Sequence, residues 1–224
     1  MKEKIREILI PIITIIISAA LGIIFEDYII GTLSLVCGFL NAYYMAIGKW
    51  YNYIFGILFS VLYMYSCFVN GLYGLVIFTI LFFTPIQISG IVSWLKNKES
   101  DDTVSTRSLN VKSSILLCTI IVIGSVGIGA LLSLIPTQNL AMLDSTSQIL
   151  NLAGVVLGAM RYRESWYIWL TNNVADLSIW IINTILNTPN AYMMLIVSIM
   201  YLVMNIIGIV SWIKIERYQK DIIG

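Results

Sequence analysis

The segment GIVSWLK at residues 90–96 returns as GIVSWIK at residues 208–214, an offset of 118 in a chain of 224. Short matches come easily in an apolar alphabet, so the repeat carries weight only if its register extends. It does: the same shift pairs Gln87 with Asn205, Gly90 with Gly208, Trp94 with Trp212 and Lys96 with Lys214.

The surrounding chain is apolar to an extent that decides its solvent. Hydrophobic residues make up 59% and charged residues 11%, with mean hydropathy +0.90, against roughly 25% charged in an ordinary soluble domain. Apolar stretches lie near 8–25, 28–48, 50–70, 72–95, 113–136, 142–160, 166–187 and 190–213. Each approaches the ~20 residues that a helix needs to cross about 30 Å of hydrocarbon. The chain therefore reads as an all-α integral membrane protein with eight transmembrane helices. The 118-residue shift lays spans 2, 3 and 4 on spans 6, 7 and 8. Three is odd, so two such units keep one orientation only if span 5 inverts the chain between them. The expected architecture is one N-terminal helix plus a 3+1+3 parallel-repeat, SWEET-like core, a plan used by transporters. Its segments are an N-terminal helix over 1–27, a first bundle over 28–96, a linker with its helix over 97–140, a second bundle over 141–216 and a tail over 217–224.

Charge supplies the orientation. All thirteen Lys and Arg residues fall at the two termini or in alternate connections, at Lys49, in the polar segment KNKESDDTVSTRSLNVK (96–112), and at Arg161 and Arg163. The positive-inside rule then sets both termini and the long linker in the cytoplasm. The first span reads as an uncleaved anchor. Its apolar run exceeds a signal h-region, and FED (25–27) stands where a cleavage site would be.

The same residues exclude several chemistries. Without histidine there is no His-based catalysis, ligation or proton relay. Cys37, Cys67 and Cys118 lie unevenly in apolar runs, which suits neither disulfides nor zinc. There is no Walker motif, and an aspartyl protease needs two opposed acids where only Asp176 lies deep. The expectation is a protein that is not an enzyme, with no cofactor, no metal and no nucleic-acid partner.

Span 7 concentrates polarity. Trp166, Trp169, Asn173, Asp176, Trp180 and Asn183 are spaced 3, 4, 3, 4 and 3 in ESWYIWLTNNVADLSIWIIN, which is one helical face. A charged Asp at a helix centre costs ~2.5–3.5 kcal/mol on the lenient insertion scale, so an intramembrane acid marks a functional site by default. The alternative is a buried Asp176 kept neutral, or hydrogen-bonded to neighbouring Asn and Ser groups for helix packing. Gln87 and Asn205 sit one turn before the paired glycines, as two walls of a central site or as helix-to-helix glue. Gln148 and Asn151 are further candidates, with Asn41 a weaker one. Trp94 and Trp212 read as interfacial anchors, Gly90 and Gly208 as close-packing positions, and Pro85 as a hinge.

The run W-x-x-W-x-x-x-N, formed by Trp166, Trp169 and Asn173 at the start of the seventh span, resembles the PnuC family of bacterial vitamin transporters. Span count, linker position, repeat and basic ends agree over essentially the whole chain. The resemblance implies two three-helix bundles around a linker helix, a vitamin substrate of which nicotinamide riboside is the best known, and a homo-oligomer, trimers occurring in the family. It also implies substrate contacts at Trp166, Trp169, Asn173, Gln87 and Asn205. Val155 stands where the family often has glutamine, with Gln148 and Asn151 a turn or two away. Relatives are assigned to thiamine, riboflavin and deoxynucleosides, so those substrates stay open. The residue chemistry suits the class: indole faces hold a planar ring, and Asp176 offers a counter-charge or a partner for ribose hydroxyls. The expected activity is facilitated diffusion across the lipid bilayer, with trapping by a cytoplasmic kinase. The competing reading is a membrane sensor signalling through the 96–112 linker.

Overall fold

A computed structural model of the chain describes residues 2–24, 29–69, 79–99, 103–134, 140–186 and 191–223. Among these, eight helices follow in order: α1 (Lys2–Ile24), α2 (Ile30–Ala46), α3 (Asn52–Val69), α4 (Thr79–Lys96), α5 (Val111–Leu132), α6 (Ala141–Ala159), α7 (Glu164–Ile185) and α8 (Ala191–Ile223). No strand occurs among the described residues, only two isolated bridges. The connections at FED, NG, PTQN and NTPN lie outside them. The last helix continues through residue 223, so the segment expected as a tail from 217 is largely helical.

Burial is inverted relative to a soluble protein. Ile16, Ile17, Ile115, Leu116, Ile120 and Ile123 are exposed, while Asn52, Ser145, Ser165 and Asn173 are buried. That is the arrangement of a chain solvated by lipid tails, where polar groups must find partners inside. Thr79–Lys96, Val111–Leu132 and Ser198–Gln219 are long and apolar enough to cross a membrane, and Leu9–Ile24, Ile30–Ala46 and Asn52–Leu62 are shorter apolar helices. α6 and α7 meet neither description. Their inner faces carry Ser147, Gln148, Asn151, Asn172, Asn173 and Asp176, which lowers the apolar content of helices of sufficient length.

Two helical hairpins share one hydrogen-bond pattern. After α2, Gly48 N–H donates to the Met45 carbonyl at 3.0 Å and Lys49 N–H to the Tyr44 carbonyl at 2.8 Å. After α6, Arg161 N–H donates to the Gly158 carbonyl at 3.0 Å and Tyr162 N–H to the Leu157 carbonyl at 2.9 Å. Both pairs form a Schellman C-cap with a left-handed residue at its end, Gly48 at φ 74° and Arg161 at φ 67°. Each second-hairpin residue lies 113 positions after its counterpart (48 and 161, 45 and 158). The single offset of 118 therefore holds only for α4 and α8. On α2–α3 and α6–α7 it is 113, which matches Trp166 to Tyr53, Trp169 to Gly56 and Asn173 to Ser60. Five extra residues enter the second unit between those helices and the next.

The helices cross-pack reciprocally: α2 lies against α8, and α4 against α6. Trp94 on α4 donates its indole N–H to the Gly158 carbonyl at 3.0 Å, and Trp212 on α8 donates to the Met45 carbonyl at 3.0 Å. The two rings are 5.8 Å apart and essentially inaccessible, at 0% and 1% exposure. This corrects their reading as interfacial anchors: they are core. Gly90 and Gly208 are close-packing positions, as expected. A Cβ on either would strike a ring, Tyr53 for Gly90 and Trp166 for Gly208, so each seats an aromatic side chain.

The linker is a strap over the basic end of the bundle. Val104 is buried, its N–H donates to the Gly48 carbonyl at 3.1 Å, and Arg107 N–H donates to the Arg161 carbonyl at 2.9 Å. Gln219 at the end of α8 donates to the Val104 carbonyl and accepts from Thr106 N–H, both at 3.0 Å. Arg161 Nη1 donates to Ser105 O and Oγ at 3.1 and 2.6 Å. Those bonds offset a burial that disfavours the guanidinium charge, with Arg107 adding like-charge repulsion. They also account for an arginine in a backbone conformation that suits glycine.

Trp94→Phe and Trp212→Phe are each expected to lower unfolding stability in detergent by about 0.5–1.5 kcal/mol, through the lost indole hydrogen bond, since each carbonyl keeps its cap bond from the Arg161 or Gly48 N–H. Equal, near-zero shifts in thermal melts would return both residues to the interface. Arg161→Ala should be less stable than Arg161→Gly by about 1 kcal/mol, because both lose the guanidinium's bonds to Ser105 but only alanine keeps the left-handed cost.

Candidate functional site

Between the two helix groups lies a cavity of about 400 Å³, within the range of small-molecule sites. Its wall holds Trp166, Trp169, Asn173, Asp176, Gln87, Asn205, Gln148 and Asn151, eight of the nine residues expected from sequence. Trp180 is not among the lining residues. The stripe Trp166–Asn183 is continuous along α7, but the cavity ends below Asp176. Asn183 donates to the Ile179 carbonyl of its own helix.

The wall is built from matched positions. On α4 the face Phe83, Gln87, Gly90, Trp94 is spaced 4, 3 and 4, and on α8 Tyr201, Asn205, Gly208, Trp212 repeats it. The first two of each set line the cavity, and the last two pack beneath it. Gln87 Nε2 donates to Ser60 Oγ at 3.4 Å, while Asn205 Nδ2 donates to Asn173 Oδ1. Both bonds join the third helix of a unit to the second at matched positions. Asn41 Nδ2 donates to the Asn52 carbonyl at 2.9 Å, which places a residue ranked low from sequence on the lining. α4 opens with a π-turn over Thr79–Phe83, directly before Pro85 in the first α-turn. Proline has no N–H to continue the winding, and both ends of the π-turn line the cavity.

Asp176 accepts from Ser147 Oγ at 2.5 Å and from Asn172 Nδ2 at 3.0 Å, so α6 and α7 both hold the carboxylate. Neither partner was singled out by sequence. Asn172 lies one turn before Asp176, a spacing that signals such a pair, and Ser147 lies on another helix, where no local signal exists. Among the described residues, no lining side chain is Lys or Arg, and Asp176 is the one acid. Two buried polar atoms at the wall, Trp166 Nε1 and Asn172 Oδ1, have no hydrogen-bond partner among the described residues. Among those residues, no group of His, Cys, Asp and Glu side chains suits a metal ion.

The aromatic side chains form one run: Tyr53–Trp94 at 5.2 Å, Trp94–Trp212 at 5.8 Å, Trp212–Trp166 at 6.1 Å and Trp166–Trp169 at 5.3 Å. Trp166 is 1% exposed and belongs to the core, whereas Trp169 is partly buried and opens on the cavity. The arrangement offers a planar ring an indole wall, surrounds it with carboxamides, and sets one carboxylate beside it.

Known proteins agree in kind. A family model described as "Nicotinamide mononucleotide transporter" matches residues 28–214. The chain is 26% identical over 210 residues to the nicotinamide riboside transporter PnuC of Neisseria mucosa, covering 90% of this chain and 78% of that protein. It is 25% identical over 194 residues to the protein of the same name from Haemophilus influenzae, covering 85% and 82%. The crystal structure of the vitamin B3 transporter PnuC superposes with a TM-score of 0.75 at 26% identity, covering 95% of this chain and 92% of that one.

The burial difference between the motif tryptophans has a measurable consequence. Trp166→Ala empties a packed site and should cost about 3–5 kcal/mol. Trp169→Ala enlarges a space already open and should cost distinctly less. Similar losses in detergent melts would place Trp169 in the core instead.

Proposed function

The chain belongs to the nicotinamide mononucleotide transporter family, and from that premise we propose that it takes up nicotinamide riboside by facilitated diffusion. The observation that carries the substrate is the charge of the cavity wall: among the described residues, Asp176 and no basic side chain. A nicotinamide riboside brings a pyridinium cation, a carboxamide and ribose hydroxyls. Each well-placed indole face contributes ~0.5–2 kcal/mol to a cationic ring, and the carboxamides of Gln87, Asn205, Asn173, Gln148 and Asn151 match its polar groups. A mononucleotide would set a phosphate in the same space with no cation to meet it, at several kcal/mol if left unpaired. The wall thus favours the riboside over the form in the family's description. Thiamine shares the cationic ring and is the first alternative.

Uniport follows from what the sequence lacks: no nucleotide-hydrolysing motif, no histidine and one deep acid. The two helix groups would rock around the cavity as a parallel repeat, and a separate kinase would trap the product. In this reading the basic end and both termini face the cytoplasm of a bacterial cell, in its inner membrane.

Purified protein in liposomes is expected to equilibrate labelled nicotinamide riboside without an ion gradient. Accumulation of unmodified substrate above equilibrium only under a proton or sodium gradient would overturn uniport. Binding with no movement of label would make the protein a sensor. Asp176→Asn should lower uptake of a cation by roughly tenfold or more, and uptake of a neutral deoxynucleoside much less, since only the cation loses Coulomb attraction. Equal losses would return Asp176 to helix packing.

A further inference from the structure

Trp169 lies lengthwise on α6. A Cβ built on Gly154 would come within 2.3 Å of its indole nitrogen and 2.5 Å of Cδ1, and one built on Gly158 within 3.1 Å of the far end of the ring. The two glycines form a groove one helical turn long with the indole bedded in it. The Gly158 carbonyl is in turn held by Trp94 of the other helix group at 3.0 Å.

The matched hairpin shows that α6 itself does not need these glycines. At the 113-residue offset set by the hairpin hydrogen bonds, Gly154 corresponds to Asn41 and Gly158 to Met45, both with full side chains. The position matching Trp169 is Gly56, and there the space above the glycine is taken by the Gln87 and Asn41 amides. Large and small have changed places between the two walls. Glycine occurs on α6 where the indole rests, and not at the same turns of α2, where no indole rests.

We propose that Gly154, supported by Gly158, is a positioning residue for substrate recognition: it sets how far the Trp169 ring stands into the cavity, and so the ring that the cavity accepts. The inference rests on the transporter reading for its ligand, but the seat itself is independent of any ligand. A methyl group at 154 must push the indole toward the cavity, because the helix backbone behind it has nowhere to move. At 158 the contact is softer, and the closest neighbour is the flexible end of Met45. The effect should therefore be graded.

Fluorine NMR of fluorotryptophan-labelled protein, with the Trp169 resonance assigned by its loss in Trp169→Phe, tests the seat without ligand. Gly154→Ala is expected to shift that resonance strongly and Gly158→Ala weakly. An unmoved Trp169 signal in folded Gly154→Ala would overturn the proposal. Calorimetry with nicotinamide riboside, thiamine, riboflavin and thymidine tests the consequence. Gly154→Ala should weaken the best wild-type ligand by roughly tenfold. Trp169→Phe in the Gly154→Ala background, with a smaller ring over the added methyl, should recover part of that loss and also refold a Gly154→Ala protein too unstable to study alone. A shifted resonance with unchanged affinities, or no recovery in the double variant, would also overturn it. Wild type binding none of the four compounds would instead defeat the functional reading, with the NMR arm still deciding the seat.

Discussion

The structure depends on one reciprocal constraint. Trp94 and Trp212 each donate to the last-turn carbonyl of the other helix group, at Gly158 and Met45, while their rings pack together at 5.8 Å. In hydrocarbon an unsatisfied donor or acceptor costs several kcal/mol, so each indole has little alternative to the carbonyl it meets. The pair fixes the distance between the groups at one end, and the cavity is the space left above that contact. Trp166 and Trp169 extend the same aromatic run into the wall. Cavity wall and cohesion are therefore made of the same side chains.

Much of the fold could be read from the sequence, because membrane burial leaves blunt signals. Apolar stretches of spanning length, basic residues confined to alternate connections and the returning GIVSW segment need no tertiary information. The register of the repeat was only partly legible. The matching segment lies wholly on α4 and α8, and nothing on those helices reveals the five residues added earlier in the second unit. Capping geometry did reveal them, since Gly48 and Arg161 occupy the same left-handed position with unlike side chains. The roles of Trp94 and Trp212 were not legible. An indole before a lysine satisfies the pattern of an interfacial anchor equally well, and the deciding carbonyl comes from a helix distant in sequence.

The lining was legible where one helix writes it and illegible where two helices share it. The spacing on α7 gave Trp166, Trp169, Asn173 and Asp176, yet the same periodicity also swept in Trp180, because a stripe does not announce where its cavity ends. Ser147 holds Asp176 from α6, and no pattern within either helix predicts that meeting. The exchange of Trp169 for Gly56 and of Gly154 for Asn41 became visible only once the correct offset was known. The two matched hairpins thus differ in chemistry: an indole rests on glycine between α6 and α7, where amides meet between α2 and α3.

The strap gives the molecule a stiff end. Main-chain bonds from Val104 and Arg107 reach both hairpin caps, and Gln219 adds the end of α8 to the same knot. Separating the two helix groups there requires all of these contacts to break together, at ~0.5–1.5 kcal/mol each. Beside the cavity, α4 is loosened into a π-turn over Thr79–Phe83, ahead of Pro85. Compliance is thus unevenly distributed along the bundle axis, as in a pair of tongs riveted near one tip. Small displacements are expected at the loosely wound turn beside the cavity before they reach the strapped end.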